Sequence, residues 1–189
     1  DMKRRVEDET GEQKFYFANI LDDLPYSLEL AEQAAELGAD GVLMSPFVQG
    51  LSIISEVARR TNLVILSHNS CGDVYNRVPG WGASHQVMAL IQRAAGADLV
   101  VSPGPFATPW QADEEAQMFL AACRQPTGTW SQSMPIMQGG KKPEFLKDYV
   151  EACGSTDFMI IAATWVDEHA QGIQQGARAF REAWEQVQL

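Results

Sequence analysis

The sequence holds little of what builds thiolate metal centres or disulfide scaffolds. Its three cysteines, Cys71, Cys123 and Cys153, are far apart and odd in number. They form no Cys-x-x-Cys pair and no zinc-type spacing, which points to a reducing, cytoplasmic setting. Basic residues are scarce: 14 Lys and Arg against 25 Asp and Glu, a formal net charge of -11. Such a surface repels phosphate backbones, so nucleic acid is not an expected partner. No apolar run approaches the ~20 residues of a membrane-spanning helix. No stretch has the form of a secretory leader. No membrane partner is expected either. Nor does a Gly-x-Gly-x-x-Gly follow the first apolar run, which argues against a dinucleotide-binding sheet.

What is present is a regular alternation. Short apolar runs lie at 14–20 (KFYFANI), 41–45 (GVLMS), 63–67 (LVILS), 99–102 (LVVS), 135–137 (PIM) and 158–162 (FMIIA). Between and after them, helical patterns cover 25–37, 51–60, 84–95, 112–124, 143–153 and 174–187, and Asp1 to Thr10 reads as the end of an amphipathic helix. Strands of this length alternating with helices predict βα crossovers and parallel pairing. The runs are apolar without alternation, as in parallel strands covered on the sheet's outer face. The loops entering the strands are short, such as Gly38-Ala39-Asp40 and Gly96-Ala97-Asp98, whereas the loops leaving them are long and polar. That asymmetry favours a β/α barrel, α/β in class, over an open doubly wound sheet. A closed eight-stranded barrel takes about 250 residues. At 189 residues, the expectation is a single partial barrel domain of six units.

In such barrels the chemistry sits where the strands end. Those ends offer Asn19, then Asp22 and Asp23; Ser45; His68 and Asn69, with Asp73, Tyr75 and Arg77 beyond; Ser102, Pro103 and Gly104; Gln138, Gly139, Gly140, Lys141 and Lys142; and Trp165 and His169. His68 directly follows a buried run, and an imidazole held there suits general acid or base work near neutrality. His85 and His169 are weaker candidates for the same role. Asn19 places an amide at a strand end within an apolar run. Gly139 and Gly140 let backbone N–H groups approach an anion beside Lys141. Asp22 and Asp23 suit capping of the following helix better than catalysis. Trp81, Trp110 and Trp165 would line a pocket or simply pack. Cys123 and Cys153 read as small core residues.

The segments FYFANILDD, ELGADGVLMSPFVQGL, VILSHN, GWGASHQVMALIQRAAGADLVVSPGPF, MPIMQGGKKP and HAQGIQQGARAFREAWE occur in this order. Together they resemble the barrel of the RuBisCO superfamily, in particular its non-carboxylating RuBisCO-like branch. The resemblance implies a TIM-type (β/α)8 barrel that is incomplete here, carrying the third to eighth family strands. The N-terminal α+β domain and first two strands would then be absent. It implies Mg²⁺-assisted enolisation of a small keto or hydroxy sugar-acid or sugar-phosphate by an isomerase or lyase, in a cytoplasmic homodimer. His68, Asn19 and His169 would be catalytic, and Gly139, Gly140, Lys141, Gln138, Ser102 and Trp165 would bind substrate or anion. No metal ligand is expected among residues 1–189; the resemblance puts them on the absent second strand, and this piece alone should be inactive. Departures from the family pattern argue against carboxylation: Gln138 stands for a serine, Asn69 for an arginine, Val101 for a histidine, and Ala163, Thr164 and Trp165 for three phosphate-cradling glycines. The alternative is a non-catalytic binding or assembly subunit.

Overall fold

A computed structural model describes residues 2–75, 80–102 and 114–187. Six strands alternate with helices: α1 (Met2–Thr10), β1 (Phe17–Asn19), α2 (Leu24–Glu36), β2 (Gly41–Met44), α3 (Pro46–Gln49), α4 (Leu51–Arg60), β3 (Val64–Ser67), a 3₁₀ turn (Gly72–Tyr75), α5 (His85–Ala95), β4 (Leu99–Val101), α6 (Glu114–Arg124), β5 (Met134–Met137), a second 3₁₀ turn (Pro143–Phe145), α7 (Leu146–Cys153), β6 (Met159–Ile160), α8 (Ala163–Asp167) and α9 (Ile173–Val187). Every pairing is parallel, and the spatial order equals the chain order, β1-β2-β3-β4-β5-β6. A doubly wound sheet reverses its strand order at a switch point. This one never does, so the sheet is an arc of a barrel.

Two apolar layers explain why the strands lack alternation. Val42, Met44, Ile65, Val100 and Met137 face the helices, packed with Ile53, Ile54, Val57, Phe119, Leu120 and Tyr149. Leu66, Leu99, Val101 and Ile136 form a second cluster with Phe17, Leu43, Met134, Met159 and Ile161 on the opposite, inner face. Successive residues of a strand point to opposite faces, so both sets must be apolar. Each fully buried aliphatic side chain contributes roughly 1.5–3 kcal/mol.

The short turns into the strands work as clamps. Asp40 N–H donates to the Tyr16 carbonyl at 3.0 Å, and its Oδ2 accepts from Tyr16 N–H at 2.7 Å. Asp98 repeats the device on Ile65, at 3.0 and 2.9 Å. Lys3, and then the Tyr16 N–H, hold the Asp40 carboxyl below the ordinary carboxylate range. Gly96 closes α5 in the left-handed conformation at φ 107°. At Gly41 a Cβ would strike the Phe17 ring and the Val64 carbonyl, so β1 and β3 approach β2 as closely as they do only because that side chain is missing.

The sequence expectations are corrected mainly at the sheet's margins. The first and last strands shrink from 14–20 and 158–162 to Phe17–Asn19 and Met159–Ile160. Each pairs on one side only among the described residues, and a ladder extends only as far as its partner. Residues 143–153 divide into a 3₁₀ turn and α7. Pro46–Gln49 and Ala163–Asp167, read as loop, are short helices. Asp23 occupies the N-cap position of α2, but its side chain makes no capping bond; the Asp22 carboxylate accepts from Asp23 N–H instead. Arg77, Pro103, Gly104 and Trp110 lie outside the described residues, as does the side chain of Asp73.

Candidate functional site

Inner-face alternation carries past the strand ends. Two residues beyond Leu66 and Ile136 of the inner cluster come His68 and Gln138, and two beyond Phe17 comes Asn19. His68 N–H donates to the Met44 carbonyl at 2.7 Å and so extends the β2–β3 ladder. Its half-buried ring is held from one side: Nδ1 accepts from Ser70 N–H at 3.1 Å and lies 2.8 Å from Ser70 Oγ. A backbone N–H can only donate, so Nδ1 is unprotonated and Nε2 carries the proton. Burial pushes the His68 pKa below its ordinary value and favours this neutral form.

Beside it, three strand ends meet in one network. Gln138 Nε2 donates to Asn69 Oδ1 at 2.7 Å and to the Ser102 carbonyl at 3.1 Å. Asn69, 7% exposed, donates from Nδ2 to the same carbonyl at 3.2 Å. Thus β3, β4 and β5 are tied at the mouth by two amides and a backbone oxygen. The group of Ser102 that takes part is its backbone carbonyl. Asn69 and Gln138, two positions where the chain departs from the family pattern, are each other's partners.

Gly139 and Gly140 follow with φ of 75° and 56°. Two consecutive left-handed residues explain the glycine pair, since a Cβ would cost about 1 kcal/mol or more at each. The sequence offers Lys141 as the cation of this loop; the structure buries it, at 1% exposure, with Nζ 5.4 Å from the Tyr149 ring centre. Desolvation pushes its pKa down to about 8. The partly exposed cation is Lys142, whose Nζ lies 6.0 Å from the centre of the Trp165 ring.

Trp165 sits in α8, edge-on to the His169 ring at 5.7 Å. Its Nε1–H is buried with no acceptor among the described residues. His169 Nδ1 accepts from Gln171 N–H at 3.2 Å. Gly176 of α9 lets this corner close, because a Cβ there would meet Val166 Cα at 2.9 Å and His169 Cβ at 3.0 Å.

Asn19 is exposed, and its Oδ1 accepts from Leu21 N–H at 3.0 Å. No described contact joins Asn19 or His169 to His68. His85 pairs instead with Glu115 of α6, Nδ1 to Oε2 3.6 Å, and Trp81 is 73% exposed. Cys71 is exposed, with φ 63°; Cys123 and Cys153 are buried, as the sequence indicates. An open depression of about 480 Å³, lined by Leu21, Asp22, Asp23, Leu24, Val48 and Gln49, lies beside the ends of β1 and β2, away from the amide network. Among the described residues no group of three His, Cys, Asp or Glu side chains is placed to hold a metal ion, and no helix is long and apolar enough to cross a membrane.

Known proteins resemble the chain in sequence and in fold. Residues 1–188 match the family of the ribulose bisphosphate carboxylase large chain, catalytic domain. A ribulose bisphosphate carboxylase-like protein of Allochromatium vinosum is 29% identical over 187 residues, which cover 99% of this chain and 41% of that protein. A 2,3-diketo-5-methylthiopentyl-1-phosphate enolase of Bacillus pumilus is 27% identical over 177 residues, covering 92% of this chain and 43% of the enolase. The solved structure of a rubisco-like protein from Alicyclobacillus acidocaldarius superposes with a TM-score of 0.88 at 25% identity, over 98% of this chain and 47% of that one. The chain thus spans less than half the length of these relatives.

Proposed function

The chain belongs to the ribulose bisphosphate carboxylase large-chain family, and from that premise we propose that it is the strand-end half of a RuBisCO-like enolising enzyme that fixes no CO₂. The substrate is a small keto or hydroxy sugar-acid or sugar-phosphate, and the reaction is of isomerase or lyase type. The observation that carries the reading is His68, a neutral, half-buried imidazole with its proton on Nε2 at the inner end of β3. The enolase among the relatives supports it.

In enolisation a base takes the proton next to a carbonyl. The C–H electron pair becomes the C=C bond, and negative charge gathers on the carbonyl oxygen. A fixed N–H donor in a partly desolvated site stabilises that oxygen more than it stabilises the starting ketone. His68 supplies such a donor through Nε2, and its lowered pKa keeps it neutral at pH 7. Asn19 and His169 remain candidates at the rim, and Gly139, Gly140, Gln138, Ser102 and Trp165 candidates for binding. The described residues do not fit a magnesium site. The Mg²⁺ that the family resemblance implies would take its ligands outside them, as would the base. On the same ground we propose a homodimer, acting in the cytoplasm, and no turnover from residues 1–189 alone.

The test is α-proton exchange. Full-length protein with Mg²⁺ in D₂O is incubated with a panel of keto-sugars, keto-acids and their phosphates, and deuterium uptake is followed by NMR. Exchange above the uncatalysed rate, lost in His68→Ala, is expected. No exchange on any member would favour the second reading, a non-catalytic binding or assembly subunit. That reading draws on Trp165, whose bulky ring stands where the family pattern has glycine.

A further inference from the structure

We infer that the Gln138–Asn69 amide pair is a specificity element, selecting a substrate that offers a hydroxyl hydrogen at the end of β5. The inference rests on the enolising reading for the class of molecule that enters, a small ketone, and adds which polar group it must carry.

The argument starts from a backbone oxygen. The Ser102 carbonyl can only accept, and both side-chain amides point their nitrogens at it, Asn69 Nδ2 at 3.2 Å and Gln138 Nε2 at 3.1 Å. With Asn69 so oriented, its Oδ1 faces Gln138 and takes the second hydrogen of Gln138 Nε2 at 2.7 Å. Turning either amide over would set oxygen against oxygen at the Ser102 carbonyl. The direction of both is therefore locked. Asn69 is buried, so its side chain has no solvent in which to rearrange.

Both hydrogens of Gln138 Nε2 are thus spent, and Oε1 is left. Gln138 is only half-buried, stands on the inner face, and no described residue donates to its Oε1. That oxygen is a fixed acceptor. A hydroxyl donates to it. A carboxylate or phosphate oxygen brought there meets a like partial charge, and a methyl group covers it without satisfying it. Sites built to bond a substrate hydroxyl reject the analogue that lacks it, because the buried acceptor is then left unpaired.

The experiment titrates the full-length protein by calorimetry with two probes. D-erythrulose is a neutral ketone rich in hydroxyls; pyruvate is an anionic keto acid with none. The wild type should bind erythrulose at least about tenfold more tightly than pyruvate. Gln138→Met keeps the length of the side chain and removes the acceptor. It should weaken erythrulose about fivefold or more and leave pyruvate unchanged, collapsing the ratio. Asn69→Ala frees the Gln138 amide to rotate and should lower the same ratio, a readout that a purely structural role would not move. A wild type that binds pyruvate as well as erythrulose, or that binds neither, overturns the inference; so does a ratio unchanged in both variants. Binding is read without turnover. Selectivity without α-proton exchange would overturn the enolising reading alone, and exchange without selectivity would overturn this inference alone.

Discussion

The backbone N–H of Ser70 donates to Nδ1 of His68 at 3.1 Å, and this one bond decides which ring nitrogen keeps the proton. Local geometry two residues downstream thereby converts a candidate base into a donor. The ¹⁵N shifts of His68 at pH 7.5 should show the Nε2–H tautomer, with Nδ1 in the range of an unprotonated nitrogen. Ser70→Ala removes the Oγ contact but keeps the N–H, so the tautomer should persist. An Nδ1–H tautomer in the wild type would remove the basis for His68 as an oxyanion donor.

Acid should expose the cost of burying that ring. Desolvation places the folded-state pKa of His68 below its ordinary 6.5. Below 6.5, and down through the folded value, the unfolded chain binds more protons than the folded one, so stability falls as pH falls. His68→Gln should flatten the acid limb of melting temperature against pH below about 6.5. An unchanged slope would mean that the ring is solvated in the folded protein.

Lys141 predicts a dependence at the other end of the scale. Its pKa, pushed down to about 8 from 10.5, means that between those values the unfolded chain holds the extra proton. This residue's contribution to stability therefore rises with pH across that window. In thermal melts from pH 7.5 to 10, the wild type should gain relative to Lys141→Met as pH increases. A constant difference would place the ammonium in water.

The loop after α6 depends on one guanidinium. Arg93, 3% exposed, donates to the carbonyls of Ser131 at 2.6 Å, Ala122 and Gln125 at 2.8 Å, and Trp130 at 3.1 Å. Four acceptors spread around one plane suit a guanidinium fork and not a point charge. Arg93→Met should cost at least ~3 kcal/mol of unfolding free energy in urea, from carbonyls left without donors, and Arg93→Lys should recover only part. A loss under ~1 kcal/mol would show that the 122–131 segment holds itself.

Much of the fold can be read from the chain alone. Apolar runs, helix-period stripes and Gly-Ala-Asp turns fix the order of the β/α units, and these are local properties. The helix Leu51–Arg60 keeps its sequence-derived bounds, because its apolar stripe packs on a sheet that is present on both sides of it. His68 at a strand end is legible for the same reason.

The tertiary structure decided the rest. Runs such as LVVS do not say which residue faces helices and which faces the barrel; the curvature of the sheet assigns Val100 to one layer and Leu99 and Val101 to the other. Lys141 and Lys142 are neighbours in sequence, yet a loop with two left-handed glycines turns one onto Tyr149 and the other over Trp165. Asn69 and Gln138 are 69 residues apart and meet only because parallel strands stack in chain order. Sequence periodicity carries information over a few turns or one strand. Hydrogen-bond direction at a site is set by groups that converge from separate strands, and the backbone oxygen of Ser102 becomes the reference for that convergence only once the sheet has formed.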